Sequence, residues 1–292
     1  MRARIHLVTF VSIAVAAPLG TVGVACSLTT SLDGLTTEVV AETGAAPQGE
    51  AGSIAPESGS AAEGGVGADA GVDAAPAPFR CADHAGAPFC ADFEATPVTS
   101  GWTHVNTAAG GTMAGGAGRF GQGLSASTPS HDTTTNPEAW VESGSLSIPV
   151  RQDFTFSVDI KISSLQGGQT DFVGFGFHGP FYILTLRGEG DGKVDLYEFG
   201  EAIGDASPQL DHYQPLLVQP ALGTWIHVVS HVTFASGNVH LKMTFDDVTA
   251  FDGELGADPY AGHPYAHAGI SQTTGNGNPT TIVFDDLLFT TP

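Results

Sequence analysis

Residues 154–162 read Phe-Thr-Phe-Ser-Val-Asp-Ile-Lys-Ile, with an apolar side chain at every even position and a polar one at every odd position. A period of two is typical of a β-strand that buries one face and exposes the other. The same alternation recurs in residues 226–234 and in residues 239–245. These three runs predict strands that share a hydrophobic core.

A short segment, residues 235–238, separates the last two of these strands. It reads Ala-Ser-Gly-Asn, which is typical of a turn between antiparallel strands. A slip of one residue would turn each apolar face toward water, so the pattern predicts a single register. The predicted cross-strand pairs are Phe234 with Val239, His231 with Lys242 and His227 with Asp246.

Further strands are predicted at residues 172–177, 181–186, 194–199 and 281–289. No window of a dozen residues holds a capped helical period. Many short strands cut by glycine and proline are typical of a β-sandwich or jelly roll. We therefore predict that residues 79–292 form one all-β domain, a two-sheet antiparallel β-sandwich of the jelly-roll type.

The N-terminal residues 1–25 have the order of an export signal. Arg2 and Arg4 precede an apolar run at residues 7–17, which is too short to span a bilayer, and small residues follow it. Residues 23–26, Gly-Val-Ala-Cys, resemble the bacterial lipoprotein box, so we predict that Cys26 is lipidated. The alternative is an ordinary signal cut nearby, which leaves Cys26 a free thiol.

Residues 26–78 are predicted to be a disordered linker. Residues 41–78 are almost wholly Ala, Gly, Pro, Ser, Glu and Asp, and no aromatic residue occurs between Cys26 and Phe79. The signal and the linker predict an exported protein, either an outer-membrane lipoprotein of the cell envelope or a secreted protein. A lipid anchor would be its only attachment to a membrane.

The two remaining cysteines, Cys81 and Cys90, lie at the start of the predicted domain. An oxidising compartment favours a disulfide between them, and two reduced thiols are the alternative. Such a bond would close a short loop where the linker ends.

Charge disfavours one class of partner. The chain has 31 acidic and 9 basic residues and a formal net charge of -22. Nucleic acids are held by clustered lysine and arginine, which this chain lacks, so we predict no nucleic-acid partner. The same balance disfavours attraction to anionic lipid.

Five segments, taken in order, resemble the concanavalin A-like, laminin-G-type jelly rolls. They are Phe-Cys-Ala-Asp-Phe-Glu at 89–94, Gly-Arg-Phe-Gly-Gln-Gly-Leu at 118–124, the strand at 154–162, Gly-Thr-Trp-Ile-His-Val at 223–228 and Ile-Val-Phe-Asp-Asp-Leu at 282–287. Members of this family mostly bind glycans or proteins, and some hydrolyse polysaccharides. The resemblance therefore implies a lectin-like, non-catalytic module tethered to the envelope, with a glycan or a surface protein as its partner.

Two alternatives to the lectin-like module stay open. One is a structural or adhesion lipoprotein that binds another protein, and the other is a degenerate glycoside hydrolase. The nearest match to the hydrolase motif E-x-D-x-x-E is residues 193–198, where Asp195 and Glu198 fit the later positions but Lys193 stands at the nucleophile position. An ammonium group cannot replace the attacking carboxylate, so we predict that the protein is not an enzyme.

Residues 174–179, Gly-Phe-Gly-Phe-His-Gly, match G-x-G-x-x-G, but strand-like residues follow them where a nucleotide site needs a helix. We interpret the glycines as sheet positions that a backbone or a ligand approaches closely.

His263 and His267 are predicted to be solvated residues of a loop. Aromatic rings beside polar groups would suit a sugar, and the candidate ligand-binding residues are Phe175, Phe177, His178, Tyr182, Tyr197 and Glu198.

The closing strand contains adjacent aspartates, Asp285 and Asp286, between residues that are apolar on both faces. One aspartate must therefore point into an apolar layer, and a buried carboxylate needs a cation, an arginine such as Arg119 or Arg151, or backbone donors. The family resemblance implies a structural calcium ion held by Glu94 together with Asp285 and Asp286. Hydrogen-bonded or arginine-paired carboxylates without a metal are the alternative, and no other cofactor is predicted.

Overall fold

A computed structural model of the chain describes residues 79–292 except 166, 179–180, 201–209, 236–237 and 257–261. The predicted export signal at 1–25, the lipidation site Cys26 and the predicted linker at 26–78 lie outside the described residues. Within the described part, no helix is long and apolar enough to cross a membrane.

The described residues form fifteen strands and one short 3-10 helix, Cys81–His84. The strands are β1 (Phe89–Ala91), β2 (His104–Ala108), β3 (Thr112–Ala117), β4 (Gln122–Thr128), β5 (Glu138–Glu142), β6 (Phe154–Ser164), β7 (Gln169–His178), β8 (Tyr182–Gly188), β9 (Val194–Gly200), β10 (Leu210–Pro215), β11 (Trp225–Ala235), β12 (Asn238–Phe245), β13 (Val248–Glu254), β14 (His263–Thr274) and β15 (Thr280–Thr290).

The strands form two sheets in which neighbouring strands are antiparallel. The eight-stranded sheet has the order β13-β12-β11-β6-β15-β4-β3, and β1 pairs with β15 beside that path. The seven-stranded sheet has the order β10-β9-β8-β7-β14-β5-β2. The predicted all-β, two-sheet antiparallel sandwich of the jelly-roll type is therefore confirmed, and it is the architecture that the concanavalin A-like resemblance implies.

The core lies between the two sheets, and the period-two pattern decides which side chains enter it. On β6, the even-numbered residues from Phe154 to Ile162 are buried, and Thr155 and Lys161 lie on the other face. Phe154 meets Phe175 of the seven-stranded sheet with ring centroids 5.1 Å apart. Each fully buried side chain of this size stabilises the fold by about 1.5–3 kcal/mol relative to its exposed state.

The predicted hairpin register is confirmed. Strands β11 and β12 pair Phe234 with Val239 and His231 with Lys242. Where the pairing ends, the Asp246 amide donates to the His227 carbonyl oxygen at 2.9 Å. Because this register is the one that keeps both apolar faces on the core side, hydrophobic burial alone is enough to select it.

The predicted disulfide between Cys81 and Cys90 is present, with Cα atoms 5.6 Å apart. Cys90 belongs to β1, which pairs with the closing strand through Phe89 opposite Phe289. The bond therefore ties the first described residues to the last strand of the eight-stranded sheet.

Candidate functional site

The side of the seven-stranded sheet that points away from the core is called the outer face here. It contains a depression of about 270 Å³ whose lining comes from β5, β7, β8, β9 and β14 and from the residue before β8. The lining residues are Glu138, Trp140, Glu142, Asp171, Phe181, Ile183, Tyr197, Phe199, Tyr265, His267, Ser271 and Gln272. Five of these side chains are aromatic rings of Trp, Tyr or Phe, and three are carboxylates.

Glycines on β7 keep the middle of the outer face low. Gly174 and Gly176 alternate with Phe175 and Phe177, whose rings are buried in the core. A Cβ atom on Gly176 would collide with the Tyr265 ring, and one on Gly174 would collide with the Leu184 carbonyl oxygen. The interpretation of these glycines as points of close approach is confirmed, because only hydrogen fits at either position.

A buried ion pair lies beside the depression. The Arg187 guanidinium donates to both carboxylate oxygens of Asp171, from Nε and, at 2.6 Å, from Nη2. Its carbon lies 3.2 Å from the centroid of the Tyr197 ring, and Nη1 donates to the Tyr213 hydroxyl at 2.6 Å. A bidentate pair with stacked aromatic rings is a rigid arrangement, so Tyr197 and Tyr213 are held in fixed positions.

The Trp140 ring is held at the other side of the depression. Its Nε1 donates to Glu138 at 3.0 Å, and Asn106 and Asn136 donate to the same carboxylate at 2.6 and 2.8 Å. Trp140 remains partly exposed, and its ring lies 5.6 Å from that of His267. Hydrogen bonds to one carboxylate thus fix a partly exposed aromatic ring beside the base of the depression.

His267 lies on β14 and is buried, with only 2% of its surface exposed. Neither ring nitrogen has a hydrogen-bond partner among the described residues. Burial lowers the pKa of His267 to about 4, so the ring is neutral at pH 7. The prediction that His263 and His267 are solvated residues of a loop is wrong for His267, which is buried on β14 next to the Trp140 ring. His263 is exposed as predicted, but it is the first residue of β14 and not a loop residue.

Tyr265, two residues before His267, stacks on His178 with ring centroids 4.3 Å apart. Burial, and after it the charge of Glu142, raises the pKa of the Tyr265 hydroxyl. Glu142 in turn contacts His178, with 3.2 Å between Oε1 and Nε2. Three strands thus bring a tyrosine, a histidine and a carboxylate together at one edge of the depression.

The candidate ligand-binding residues divide between the two faces of the seven-stranded sheet. Tyr197 and His178 lie on the outer face, where Tyr197 lines the depression. Phe175, Phe177, Tyr182 and Glu198 do not, so the prediction is wrong for these four. Phe175 and Phe177 share the core-facing side of β7, and a buried ring cannot stack on a ligand.

Tyr182 and Glu198 form a buried hydrogen-bonded pair inside the sandwich. The Tyr182 hydroxyl donates to Glu198 Oε1 at 2.9 Å, and the Gly256 amide donates to the same oxygen at 3.0 Å. These donors satisfy a carboxylate that has no exposed surface. Asp195, three residues earlier on β9, faces the other way, so the later two carboxylates of the hydrolase-like segment do not meet.

Asp285 lies on the far side of the molecule, on the eight-stranded sheet. Its Oδ2 accepts from the backbone amides of Arg119 and Phe120 at 2.7 and 3.4 Å, and Arg119 Nη1 donates to Asp159 at 2.8 Å. Backbone donors and an arginine therefore compensate the buried carboxylates. Burial, followed by the charges of Asp285 and Asp159, raises the pKa of Asp286 to about 7.

The predicted calcium site is not formed by the three side chains proposed for it. Glu94 Oε1 accepts from the Gln122 amide at 2.9 Å, whereas the two oxygens of Asp285 accept from backbone amides of β15 and of the loop before β4. Within the described ranges, no group of three or more His, Cys, Asp and Glu side chains could hold a metal ion. Glu94, Asp285 and Asp286 therefore do not fit a calcium ion in this arrangement.

Sequence reasoning missed Trp140, Asp171, Arg187 and His267. The sequence did contain a signal for Trp140, because residues 138–142 read Glu-Ala-Trp-Val-Glu, in which apolar residues alternate with the others as they do in a strand. No local pattern predicts that Arg187 meets Asp171 or that His267 lies under Trp140. Those contacts depend on which strands are neighbours in the sheet.

No protein-family model matches the chain, and no curated protein matches it. Solved structures do resemble it. An alginate lyase from a Chlorella virus has 9% identity and a TM-score of 0.47 and covers 70% of this chain and 100% of its own. A Bacteroides ovatus mixed-linkage glucan GH16 protein in complex with a product has 11% identity and a TM-score of 0.44, over 61% of this chain and 84% of its own.

A third similar structure is domain 4 of an extracellular arabinanase from Geobacillus stearothermophilus, in complex with arabinotriose. It has 19% identity and a TM-score of 0.37, and it covers 61% of this chain and 78% of its own. At TM-scores below 0.5, such likenesses decide neither the ligand nor the activity of this chain.

Proposed function

We propose that the outer face of the seven-stranded sheet binds a carbohydrate chain and that the domain is a non-catalytic, lectin-like module. One observation carries the proposal: fixed aromatic rings border an open depression that also presents hydrogen-bonding side chains. Sugars have apolar C–H faces and a ring of hydroxyl groups, and sites of this composition bind them through both.

The aromatic rings extend across several strands of the outer face. The rings of Tyr197 on β9 and Tyr213 on β10 have centroids 4.9 Å apart. Those of Phe199 on β9 and Phe181, the residue before β8, have centroids 6.1 Å apart. Trp140 lies across the depression on β5. An elongated ligand could therefore contact rings on both sides of the glycines of β7.

The outward residues of the eight-stranded sheet differ from this arrangement. On its central strand β6 they are Thr155, Ser157, Asp159 and Lys161, all of them polar. This contrast favours the seven-stranded sheet as the binding side.

The absence of catalysis is part of the proposal. Asp195 and Glu198 lie on opposite faces of β9, so they cannot flank one glycosidic bond. The three carboxylates of the depression already have protein partners: Glu138 accepts from Trp140 and two asparagines, Asp171 accepts from Arg187, and Glu142 contacts His178. Reducing-sugar release from the glycans that bind tests this point, and turnover would refute it.

We further propose that the protein is exported and tethered to the cell envelope by a lipid on Cys26, with residues 26–78 as the spacer. The support is the order of charged, apolar and small residues before Cys26 and the composition of the residues after it. Metabolic labelling with a fatty-acid analogue tests the anchor. Label in the wild type and none in Cys26→Ser is expected, and an unlabelled wild type would contradict it.

A glycan array with the full-length chain tests the binding function. Two phenylalanines with the same exposed fraction, 37%, provide a matched pair: Phe181 at the depression and Phe120 on the side of the eight-stranded sheet. Phe181→Ala is expected to weaken binding at least about fivefold, the effect of losing about 1 kcal/mol of contact, and Phe120→Ala to leave it unchanged.

The array also separates the alternatives. Binding that saturates and is competed by free sugar supports the proposal. Silence on every glycan, together with binding to a surface protein, would refute it and favour the adhesion lipoprotein.

A further inference from the structure

We infer that the depression selects neutral sugars over acidic ones and that His267 is the residue that recognises their hydroxyl groups. The inference rests on the proposed carbohydrate-binding function and specifies the ligand of that same site. Two independent observations carry it, the charge of the lining and the unpartnered ring of His267.

The lining of the depression is acidic. It contains the carboxylates of Glu138, Glu142 and Asp171, and none of the described residues that line it is a lysine or an arginine. A uronic acid or a sulfated sugar would bring a further negative charge next to these groups. Like charges brought together in a binding site oppose association, and the penalty is larger where water is excluded.

Arg187, a cation that contacts two lining residues of the depression, is already engaged. Arg187 is 3% exposed, and its guanidinium is shared among Asp171, the Tyr213 hydroxyl and the Tyr197 ring. An acidic sugar could recruit this group only by breaking a buried bidentate pair, which would leave Asp171 uncompensated. Asp171 is thus neutralised by Arg187, and the negative charges that face a bound ligand are those of Glu138 and Glu142.

His267 supplies the second observation. A buried polar group normally has a hydrogen-bond partner, yet both ring nitrogens of His267 lack one among the described residues, and the ring lines the depression. A neutral imidazole has one donor and one acceptor. Both nitrogens are themselves buried, so a ligand hydroxyl completes these hydrogen bonds when a neighbouring side chain, such as the adjacent Trp140 ring, moves aside to admit it.

The chemistry of that ligand follows from the two ring nitrogens. A hydroxyl group both donates and accepts, so a sugar with hydroxyls at this point can pair with the donor nitrogen and with the acceptor nitrogen. An ionised carboxylate only accepts. It would leave the unprotonated ring nitrogen facing an anion, and these two groups repel each other. Neutral His267 therefore favours a hydroxyl group over a carboxylate, as the surrounding carboxylates also do.

Matched polysaccharides test the charge selectivity of the full-length chain. The probes are β-glucan, galactomannan and xyloglucan, each beside a derivative whose primary hydroxyls have been oxidised to carboxylates, together with alginate. At about 0.01 M salt, where the Debye length is about 30 Å, we expect at least tenfold weaker binding of the oxidised form in affinity electrophoresis. At about 1 M salt, where the Debye length is about 3 Å, the ratio between the affinities for the neutral and the oxidised glycan should become smaller.

Two variants test His267. His267→Leu removes both hydrogen-bonding atoms and is expected to weaken binding of the neutral glycan at least tenfold, while His267→Gln retains a donor and an acceptor and should recover part of the affinity. Because the part of the chain that the structure describes gives His267 no hydrogen-bond partner to lose, His267→Leu should melt at or above the wild-type temperature. A folded His267→Leu protein that binds as tightly as the wild type would overturn the assignment of His267.

The outcomes distinguish this inference from the proposed function. Oxidised glycans or alginate that bind as tightly as the neutral forms, or a discrimination that salt does not reduce, would overturn the inference and leave carbohydrate binding intact. Silence on the whole panel and on the glycan array would refute both.

Discussion

The replacement of His267 by leucine is expected to make the protein more stable, although the residue lies at the candidate site. In the described structure neither ring nitrogen of His267 is paired, and the side chain is 2% exposed. Leucine is of similar size and has no polar atoms to bury. The substitution therefore removes an unfavourable burial and creates no large cavity.

The magnitude follows from two opposing contributions. Each buried, unpaired donor or acceptor costs about 1–3 kcal/mol, and the neutral imidazole has one of each. The contact between the His267 and Trp140 rings, at 5.6 Å, contributes about 0.5–1.5 kcal/mol in the other direction. We expect a net stabilisation of at least about 0.5 kcal/mol at pH 7, which raises the Tm of a domain of this size by at least about 1–2 °C.

The pH dependence of stability provides a sharper signature. Burial lowers the pKa of His267 from 6.5 to about 4. Between these values the unfolded chain binds a proton that the folded protein does not, so stability is full above pH 6.5 and falls as the pH falls toward 4. At about 1.36 kcal/mol per pH unit, the loss attributable to His267 is about 3 kcal/mol.

Urea unfolding of the wild type and of His267→Leu at pH 7 and at pH 4.5 measures both effects. Other titrating groups contribute equally to the two proteins, so the difference between them isolates His267. His231→Leu is the control, because His231 is exposed on the outward side of the eight-stranded sheet. A lower unfolding free energy for His267→Leu than for the wild type at pH 7, or the same change in unfolding free energy between pH 7 and pH 4.5 for both proteins, would refute the reasoning.

Three further predictions concern stability. Arg187→Met leaves the Asp171 carboxylate buried and unpaired and should lower the unfolding free energy, measured in urea, by about 3–5 kcal/mol. A double variant that adds Asp171→Leu should recover part of that loss. If the losses of the two single variants simply add in the double variant, the pairing is contradicted. The double variant Cys81→Ala, Cys90→Ala removes a disulfide whose cysteines are 9 residues apart, and it should lower the unfolding free energy by about 2–3 kcal/mol. Equal melting temperatures for the reduced and the oxidised wild type would argue against this prediction. Since the pKa of Asp286 is raised from 3.8 to about 7, the stability that its protonated form provides is full below pH 3.8 and is lost as the pH rises through 7. The unfolding free energy of Asp286→Asn should therefore exceed that of the wild type by about 1–3 kcal/mol at pH 8 and by less than half of that difference at pH 5, and a difference that does not change with pH would contradict this prediction.

The sequence alone was enough to predict the two-sheet sandwich, several of its strands and the register of the β11–β12 hairpin. Residues 154–162 form the centre of β6, and Phe234 pairs with Val239. These predictions succeeded because hydrophobic burial acts at every second residue of a strand, and that period can be read from one segment at a time. The disulfide of Cys81 and Cys90 was accessible for a similar reason, since both residues lie in one short segment.

The same period could have corrected part of the ligand prediction. Phe175 and Phe177 share a face with the buried Val173, and Glu198 shares one with Val194 and Leu196. The alternation thus places all three residues in the core. For Glu198 the pattern could not show how a carboxylate is tolerated there, because its donors Tyr182 and Gly256 come from other parts of the chain.

The face that each strand buries can be read from the pattern of apolar and polar residues, because the choice between core and water is made locally at every second residue. Which side chains meet on the outer face depends instead on how the strands are arranged in the folded sheet. Trp140, Arg187 and His267 lie on β5, β8 and β14, and the order of strands in the seven-stranded sheet brings them around one depression. That order is set by the packing of the two sheets as a whole, so no single segment of the sequence contains it.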